Sequence, residues 1–271
     1  MPELPEVETV CRGLSNKLLN LNIKKVKIID FNLRYRIPAQ IEKKLFNAKI
    51  KAIIRRGKNG FLVLNNNKII IFHLGMTGKF KIQKTEYKKQ KHDHLLIEFK
   101  KNIKLIYNDV RKFGYILYVE NFLDICHFNK MGKEPFLALF FIDELYHVIK
   151  RRKASIKHIL LDQSFICGIG NIYANEILYK SKISPYREGR NINKSEFLNL
   201  LTIIKSVLKV AIIKGGSSIK NYSQPNNDLG YFQTTFKVYD RNGLPCYNCK
   251  SLITRIKQNG RATFFCERCQ L

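Results

Sequence analysis

Two cysteine pairs, Cys246-x2-Cys249 and Cys266-x2-Cys269, stand 16 residues apart near the end of the 271-residue chain. Each C-x2-C turn aims two thiolates at one point. The stretch between the pairs is long enough for a β-hairpin that brings them together. Four sulfur ligands close a tetrahedral sphere, so the spacing predicts one structural Zn2+ rather than a catalytic metal or, in a cytosolic chain, disulfides. Thr254-Arg255-Ile256 and Ala262-Thr263-Phe264-Phe265 read as the hairpin strands, and Asn259-Gly260 as the turn, which sets Arg261 beside the tip. Pro245-Cys246-Tyr247-Asn248-Cys249 also fits half of a nucleobase deaminase signature. That chemistry requires H-x-E as well. None of the six histidines (His73, His92, His94, His127, His147 and His158) begins one, so it is excluded. Cys11, Cys126 and Cys167 read as buried free thiols.

Charge narrows the partner. Lys+Arg is 49 and Asp+Glu is 21, a net charge of +28. Such an excess points to a polyanion, nucleic acid ahead of an anionic membrane surface. An A·T-rich coding sequence would also raise Lys, Ile and Asn, which discounts the charge somewhat. No run of 18 apolar residues exists, so no transmembrane span is expected. The acidic start, Met-Pro-Glu-Leu-Pro-Glu-Val-Glu, lacks the order of a signal peptide, and a cytosolic protein is expected.

The elements that must position these groups follow from periodicity. Residues 3–20 read as a helix, with Val7, Val10, Leu14 and Leu18 on one face and Pro5 tolerated in the first turn. From about 23 to 120 the pattern turns to short strands rich in β-branched and aromatic residues, such as 51–54, 61–64, 68–72, 94–99 and 115–119. This predicts a β-sandwich or barrel-like domain. Met131–Pro135 reads as a linker. Helical patterns follow at about 143–150, 154–162, 171–180 and 194–213. Gly168-Ile169-Gly170-Asn171 lacks the third glycine of a dinucleotide loop and has no strand before it, so a helix–turn–helix with a tight glycine turn is the better reading. Residues 215–237 read as a loop region.

Five strings in order carry a resemblance spanning the chain. They are Pro2-Glu3-Leu4-Pro5-Glu6-Val7-Glu8-Thr9-Val10, His73-Leu74-Gly75-Met76-Thr77-Gly78, Asp109-Val110-Arg111-Lys112-Phe113-Gly114, Gly168-Ile169-Gly170-Asn171-Ile172-Tyr173-Ala174-Asn175-Glu176, and the four-cysteine tail with Asn259-Gly260-Arg261. The sequence closely resembles the bacterial formamidopyrimidine-DNA glycosylase (Fpg) family. The resemblance implies an α+β architecture: an N-terminal helix plus β-sandwich domain (1–130), a linker (131–135), a helical helix-two-turn-helix domain with a lesion loop (136–237), and a zinc-finger hairpin (238–271). It further implies a monomeric bacterial cytoplasmic enzyme, nucleoid-associated when acting, that excises oxidised purines from double-stranded DNA and cuts the abasic strand.

The implied roles suit the chemistry of the residues. Pro2, once Met1 is removed, is a secondary amine. Its adduct with the sugar C1′ is necessarily a cationic iminium, an electron sink for eliminating the 3′ and then the 5′ phosphate. Glu3 matches the family's general acid, and Glu6, three residues on, is a support for the amine. Lys58, between two expected strands, matches the hairpin lysine placed at the lesion. Arg261 matches the finger-tip arginine, a multi-donor fork suited to phosphate. A base inside a duplex cannot expose its C1′, so the nucleotide must be flipped out. Met76, Arg111 and Phe113 match the triad that fills the vacancy. Phe is suited to wedging between base pairs, and Arg to donating to the orphaned cytosine. His92, Arg152, Lys157 and Asn171 are expected to contact the DNA backbone, with Asn171 opening a helix.

Two alternatives stand beside this reading. An endonuclease VIII-like pyrimidine glycosylase is disfavoured by Leu4, where that branch usually has Gly, and by the complete filling triad. A non-catalytic zinc-ribbon DNA-binding protein leaves Pro2-Glu3 without a purpose.

Overall fold

The computed structural model describes residues 1–120, 128, 130–217 and 231–271. Cys126 and most of the expected lesion loop lie outside the described residues. The described chain divides into two compact units, Met1–Asn129 with Lys214–Tyr231, and Lys130–Ile213 with Phe232–Leu271.

The first unit opens with helix α1 (Leu4–Leu18). Val7, Val10, Leu14 and Leu18 bury one stripe, as their spacing predicts. Eight strands follow: β1 (Ile23–Ile28), β2 (Ile50–Arg56), β3 (Asn59–Leu64), β4 (Ile69–His73), β5 (Lys79–Gln83), β6 (Asp93–Phe99), β7 (Lys104–Asn108) and β8 (Tyr115–Val119), with one helical turn, α2, at Ile41–Lys44. They form two antiparallel four-stranded sheets, in the orders β1-β6-β7-β5 and β2-β3-β4-β8. One core joins the inner faces of both sheets to α1, drawing Val26, Leu95 and Tyr107 from the first and Leu62, Phe72 and Ile116 from the second. The run Ile69–Phe72 does not alternate with polar residues because both of its faces are covered: Ile70 and Phe72 enter the main core, while Ile69 and Ile71 join Phe61 in a second cluster. The last stretch of this unit returns from far along the chain, where Ser217 pairs with Tyr231 in an antiparallel bridge.

The second unit is helical. It contains α3 (Ile142–Lys150), α4 (Ile156–Leu161), α5 (Asn171–Lys180) and α6 (Lys194–Ile213). In α6 the buried positions 197, 200, 201, 204, 207, 208 and 211 keep helical spacing. Between α4 and α5 the Gln163 side chain staples the double turn. Its amide donates to the carbonyls of Leu161 and Ile169, and its oxygen accepts from the Gly168 amide. Gly168 holds φ +93°, which favours glycine. The expected linker at 131–135 is bonded along this turn: the Gly132 and Lys133 amides donate to the Gln163 and Phe165 carbonyls, and the Lys133 carbonyl accepts from Cys167. The chain ends in the hairpin of β9 (Thr254–Gln258) and β10 (Arg261–Phe265), with Asn259 and Gly260 at φ +49° and +76° in its two-residue turn. No helix among the described residues is long and apolar enough to cross a membrane.

Candidate active site and DNA-contacting groups

In the first unit, Pro2 is buried immediately before α1, and Glu3 is the N-cap. Glu3 and Glu6 form a reciprocal capping box, each side chain accepting from the other's backbone amide; the Glu6 Oε2 to Glu3 N distance is 2.8 Å. The other Glu6 oxygen accepts from the Ser217 amide (2.8 Å) and hydroxyl (3.0 Å). Both carboxylates are only 2% exposed. A side chain at Gly216, where φ is +79°, would meet the Glu6 carboxylate, so this bond requires glycine there. The two carboxylates thus cap α1 and closely follow Pro2 in the chain, an arrangement compatible with the role expected of them beside its nitrogen.

Lys58 sits in the two-residue turn joining β2 to β3, where Arg56 pairs with Asn59. It is buried, unlike most turn lysines. The turn is braced by Arg55, whose guanidinium donates to the Gly57 carbonyl and pairs with Glu8 of α1 at 2.9 Å. His73, at the end of β4, stacks on Tyr115 and accepts the Gly75 amide at Nδ1. Burial, then the charges of Lys58 and Arg34, push its pKa down to about 4, so the ring is neutral.

Met76, Arg111 and Phe113 lie on the loops after β4 and β7 and line one cavity of about 610 Å3 with Arg34, His73 and Gly75. Lone apolar residues in β segments are usually core. Here Met76 is 37% and Phe113 48% exposed, and the Arg111 guanidinium lies 4.7 Å from the centre of the Phe113 ring. His92 is half-buried at φ +68°, and its carbonyl accepts the Asp109 amide.

In the second unit the four sulfur atoms lie within 4.8 Å of one another, with Cys246–Cys269 at 3.8 Å and Cys249–Cys266 at 3.4 Å. Four thiolates about 2.3 Å from one Zn2+ would stand about 3.8 Å apart, so this donor set fits the ion. The hairpin is fastened to α4 and α5 by polar side chains. Lys157 Nζ donates to the Ala262 carbonyl (2.9 Å) and the Thr263 hydroxyl (2.6 Å). Asn171 Nδ2 donates to the same carbonyl at 2.9 Å, and Asn175 Oδ1 accepts the Phe264 amide. Arg261, one residue before Ala262, is exposed at the tip.

Two expectations change in emphasis. Lys157 is 1% exposed, so in this geometry it holds the hairpin rather than presenting its ammonium to a phosphate. Asn171 does open α5, and one of its two side-chain N–H donors is committed to the Ala262 carbonyl. Arg152 is half-buried, with its guanidinium on Asp162 at 2.6 Å and over the Phe165 ring.

Sequence reasoning gave no role to Asp109, Asn175, Glu176 or Gln163. All four hold neighbouring segments by accepting backbone amides, Asn175 from Phe264 of β10 and Glu176 from 237, 238 and 239 at once. Asp109, Asn175 and Glu176 lay inside the strings that carried the resemblance, which was the available signal.

A β-sandwich behind a buried Pro-Glu helix cap, followed by a helix-two-turn-helix unit and a four-cysteine hairpin, defines the class of helix-two-turn-helix DNA glycosylases. The chain matches the formamidopyrimidine-DNA glycosylase N-terminal domain over residues 1–116, the H2TH domain of the same family over 131–223, and the zinc finger found in FPG and IleRS over 243–271. It is 42% identical over 270 residues to the formamidopyrimidine-DNA glycosylase of Wolbachia sp. subsp. Brugia malayi, covering 100% of both chains. It is 40% identical to that of Rickettsia africae, covering 100% of this chain and 99% of the other. Among solved structures, Lactococcus lactis Fpg in complex with DNA containing N7-benzyl-Fapy-dG matches with TM-score 0.91 at 34% identity, over 99% of each chain. The complex of that enzyme with abasic-site DNA matches with TM-score 0.90 at 33% identity, again over 99% of each chain. The chain belongs to the formamidopyrimidine-DNA glycosylase family.

Proposed function

We propose that this protein removes oxidised purines, 8-oxoguanine and formamidopyrimidines, from duplex DNA and then cleaves the abasic strand by β,δ-elimination. The observation that carries the reading is the buried Pro2-Glu3 cap held by Glu6, in a chain related along its whole length to these glycosylases. With Met1 attached, the Pro2 nitrogen is an amide and cannot attack. Its removal frees a secondary amine. That amine bonds to C1′ of the flipped nucleotide and the base departs with the bonding electrons, taking up one proton as the amine nitrogen gives one up. Glu3 then supplies the proton to the ring oxygen that opens the sugar and leaves the iminium. The resulting iminium acidifies C2′–H. Loss of that proton expels the 3′ phosphate, and a second elimination expels the 5′ phosphate.

Glu6 fixes Glu3 and the helix start. Lys58 serves proton transfer and phosphate contact at the lesion, and Arg261 grips phosphate at the second elimination. Met76, Arg111 and Phe113 occupy the vacated stack, while His92, Arg152 and Asn171 hold the backbone, with Lys157 acting through the hairpin. Cys246, Cys249, Cys266 and Cys269 bind one Zn2+, which shapes the finger and takes no part in the chemistry. Residues 1–130 carry the amine and the plug, 136–237 the backbone grip and lesion loop, and 238–271 the finger. The setting is the bacterial cytoplasm, on nucleoid DNA, with the protein acting as a monomer.

Borohydride trapping on a duplex containing 8-oxoguanine opposite C tests the proposal. The matured protein forms a covalent adduct, and Pro2→Gly or a form retaining Met1 traps at least about 100-fold more slowly. Full-rate lesion release with the amino-terminal nitrogen blocked overturns it. Faster excision of an oxidised pyrimidine than of 8-oxoguanine would move the substrate assignment to the endonuclease VIII type.

A further inference from the structure

We propose that Asp109 is a positioning residue whose carboxylate locks Met76, Arg111 and Phe113 into one preset wedge, and that this lock sets the preference for the base opposite the lesion. The inference rests on the reading of those three residues as void fillers. Asp109 is completely buried, and its carboxylate reaches all three positions through their backbone or their immediate neighbours. Oδ1 accepts the hydroxyl of Thr77, the residue after Met76, at 2.5 Å, and the amide of Arg111 at 3.2 Å. Oδ2 accepts the amide of Gly114, the residue after Phe113, at 2.8 Å. The Thr77 hydroxyl also accepts the Arg111 amide at 3.0 Å, so the two loops share a closed ring of hydrogen bonds.

The backbone of Asp109 is itself pinned. Its amide donates to the His92 carbonyl, and its carbonyl meets His94 Nε2 at 3.0 Å. Close packing leaves the loops little room to slide. A Cβ at Gly75, where φ is +58°, would lie 2.4 Å from the Gly114 nitrogen, and one at Gly114 would strike the Tyr107 hydroxyl. From outside, Lys112 is tied to Asp30 at 2.8 Å, and the Gly114 carbonyl accepts the Arg34 amide. The loops that present two exposed apolar side chains and a stacked guanidinium are thus held by hydrogen bonds and close contacts on several sides. A wedge that is already ordered loses no conformational freedom on insertion, and a fixed fork of donors tolerates few acceptor patterns.

The test uses the full-length matured protein, with Asp109→Asn, Thr77→Val and Thr77→Ser. In Asp109→Asn one oxygen becomes an NH2, which must face a donor whichever way the amide is turned. Single-turnover excision of 8-oxoguanine is measured opposite C and opposite A, beside cleavage of an abasic site in single-stranded DNA, where no opposite base has to be met. Asp109→Asn and Thr77→Val are expected to slow duplex excision about 10- to 100-fold, with single-strand cleavage changed less than about 3-fold. The ratio of rates opposite C and A moves toward parity, and Thr77→Ser restores the original ratio. Parallel loss on both substrates assigns the carboxylate to general stability and overturns the proposal, as does an unchanged ratio. Should Asp109→Asn not fold, the Thr77 pair decides. A wild-type protein that excises no lesion overturns the functional reading itself, whereas active wild type with indifferent variants overturns only the role of Asp109.

Discussion

Glu6 in the amino-terminal cap reaches Ser217 across 211 residues of chain, whereas the hairpin module gathers its four sulfur atoms from between Cys246 and Cys269. Both regions hold a side chain of chemical interest, Glu3 in one and Arg261 in the other. The first does so with buried acceptors and backbone amides, the second with metal ligands on two tight knuckles. A hydrogen-bonded site of this kind is only as rigid as the sheets and loops that deliver its donors. A metal-held site is locally specified, but it depends on one external condition, the presence of the ion.

Removing that condition is expected to give the largest effect. Chelation, or Cys249→Ser, removes metal-linked folding free energy on the order of 10 kcal/mol. Amides of residues 254–265 should then lose protection in hydrogen exchange, and complete β,δ strand cleavage should fail. The strands β3, β4, β6 and β7 should keep their protection. Deprotection of those sandwich amides in step with the hairpin would erase the distinction drawn between the two regions. Next in size is Glu6→Gln. Glu6 accepts from the Glu3 amide and from both donors of Ser217, and a carboxamide turns one acceptor into a donor facing one of them. A loss of about 1.5–3 kcal/mol, roughly 10- to 100-fold in trapping rate, is expected without loss of metal. Trapping at the wild-type rate would show that the cap does not depend on this carboxylate.

The same contrast explains what could be read in advance. The cysteine spacing, the Asn259-Gly260 turn and the two strands were all visible because every determinant lies within about twenty-five residues. The stripe on α1 and the apolar strands of the sandwich were legible from period alone. Strands β1, β5 and β7 were not singled out. Lysine-rich stretches such as Ile23–Ile28 and Lys79–Gln83 are strands because their neighbours supply pairing partners, not because of local propensity. Glu6–Ser217 and Lys157–Thr263 are long-range bonds between residues whose identities fit many other roles, so only the folded chain reveals them. Burial of Lys157 is the clearest case. A basic run just upstream suggested a solvated phosphate-binding face, and the structure instead spends that charge on a carbonyl and a hydroxyl.

Acid separates the regions by mechanism. In the hairpin, protons compete with metal for the thiolates. In the sandwich, His73 must stay neutral, because its Nδ1 accepts the Gly75 amide and its pKa is depressed to about 4. The unfolded chain binds a proton near pH 6.5 that the native ring refuses. The resulting stability is therefore present above pH 6.5 and is lost as pH falls toward 4, by up to about 3 kcal/mol. Urea midpoints at pH 7 and 4.5, read from β4 amides, should show this drop in the wild type and less of it in His73→Gln. An equal drop in both proteins would remove His73 as the cause.

The smallest effects expected come from two turn glycines, and they sharpen the comparison most directly. Gly57 holds φ +56° beside Lys58, and Gly260 holds φ +76° beside Arg261. Alanine at either position meets the same left-handed strain, about 1 kcal/mol. At Gly260 an added Cβ meets nothing within 4 Å, so the strain is the whole cost. There the metal ligands and the Lys157 and Asn175 bonds hold β10 in place, and Gly260→Ala should change strand cleavage less than about 2-fold. At Gly57 the carbonyl is an acceptor for Arg55, which is itself paired with Glu8, so relieving the strain by rotating the peptide breaks the brace on a buried lysine. Gly57→Ala should therefore lower excision about 5- to 10-fold at a similar stability loss, because misplacing the lysine proposed to act at the lesion costs more than the strain that moved it. Equal losses of activity at the two glycines would mean that the metal lends Arg261 no more rigidity than hydrogen bonds lend Lys58.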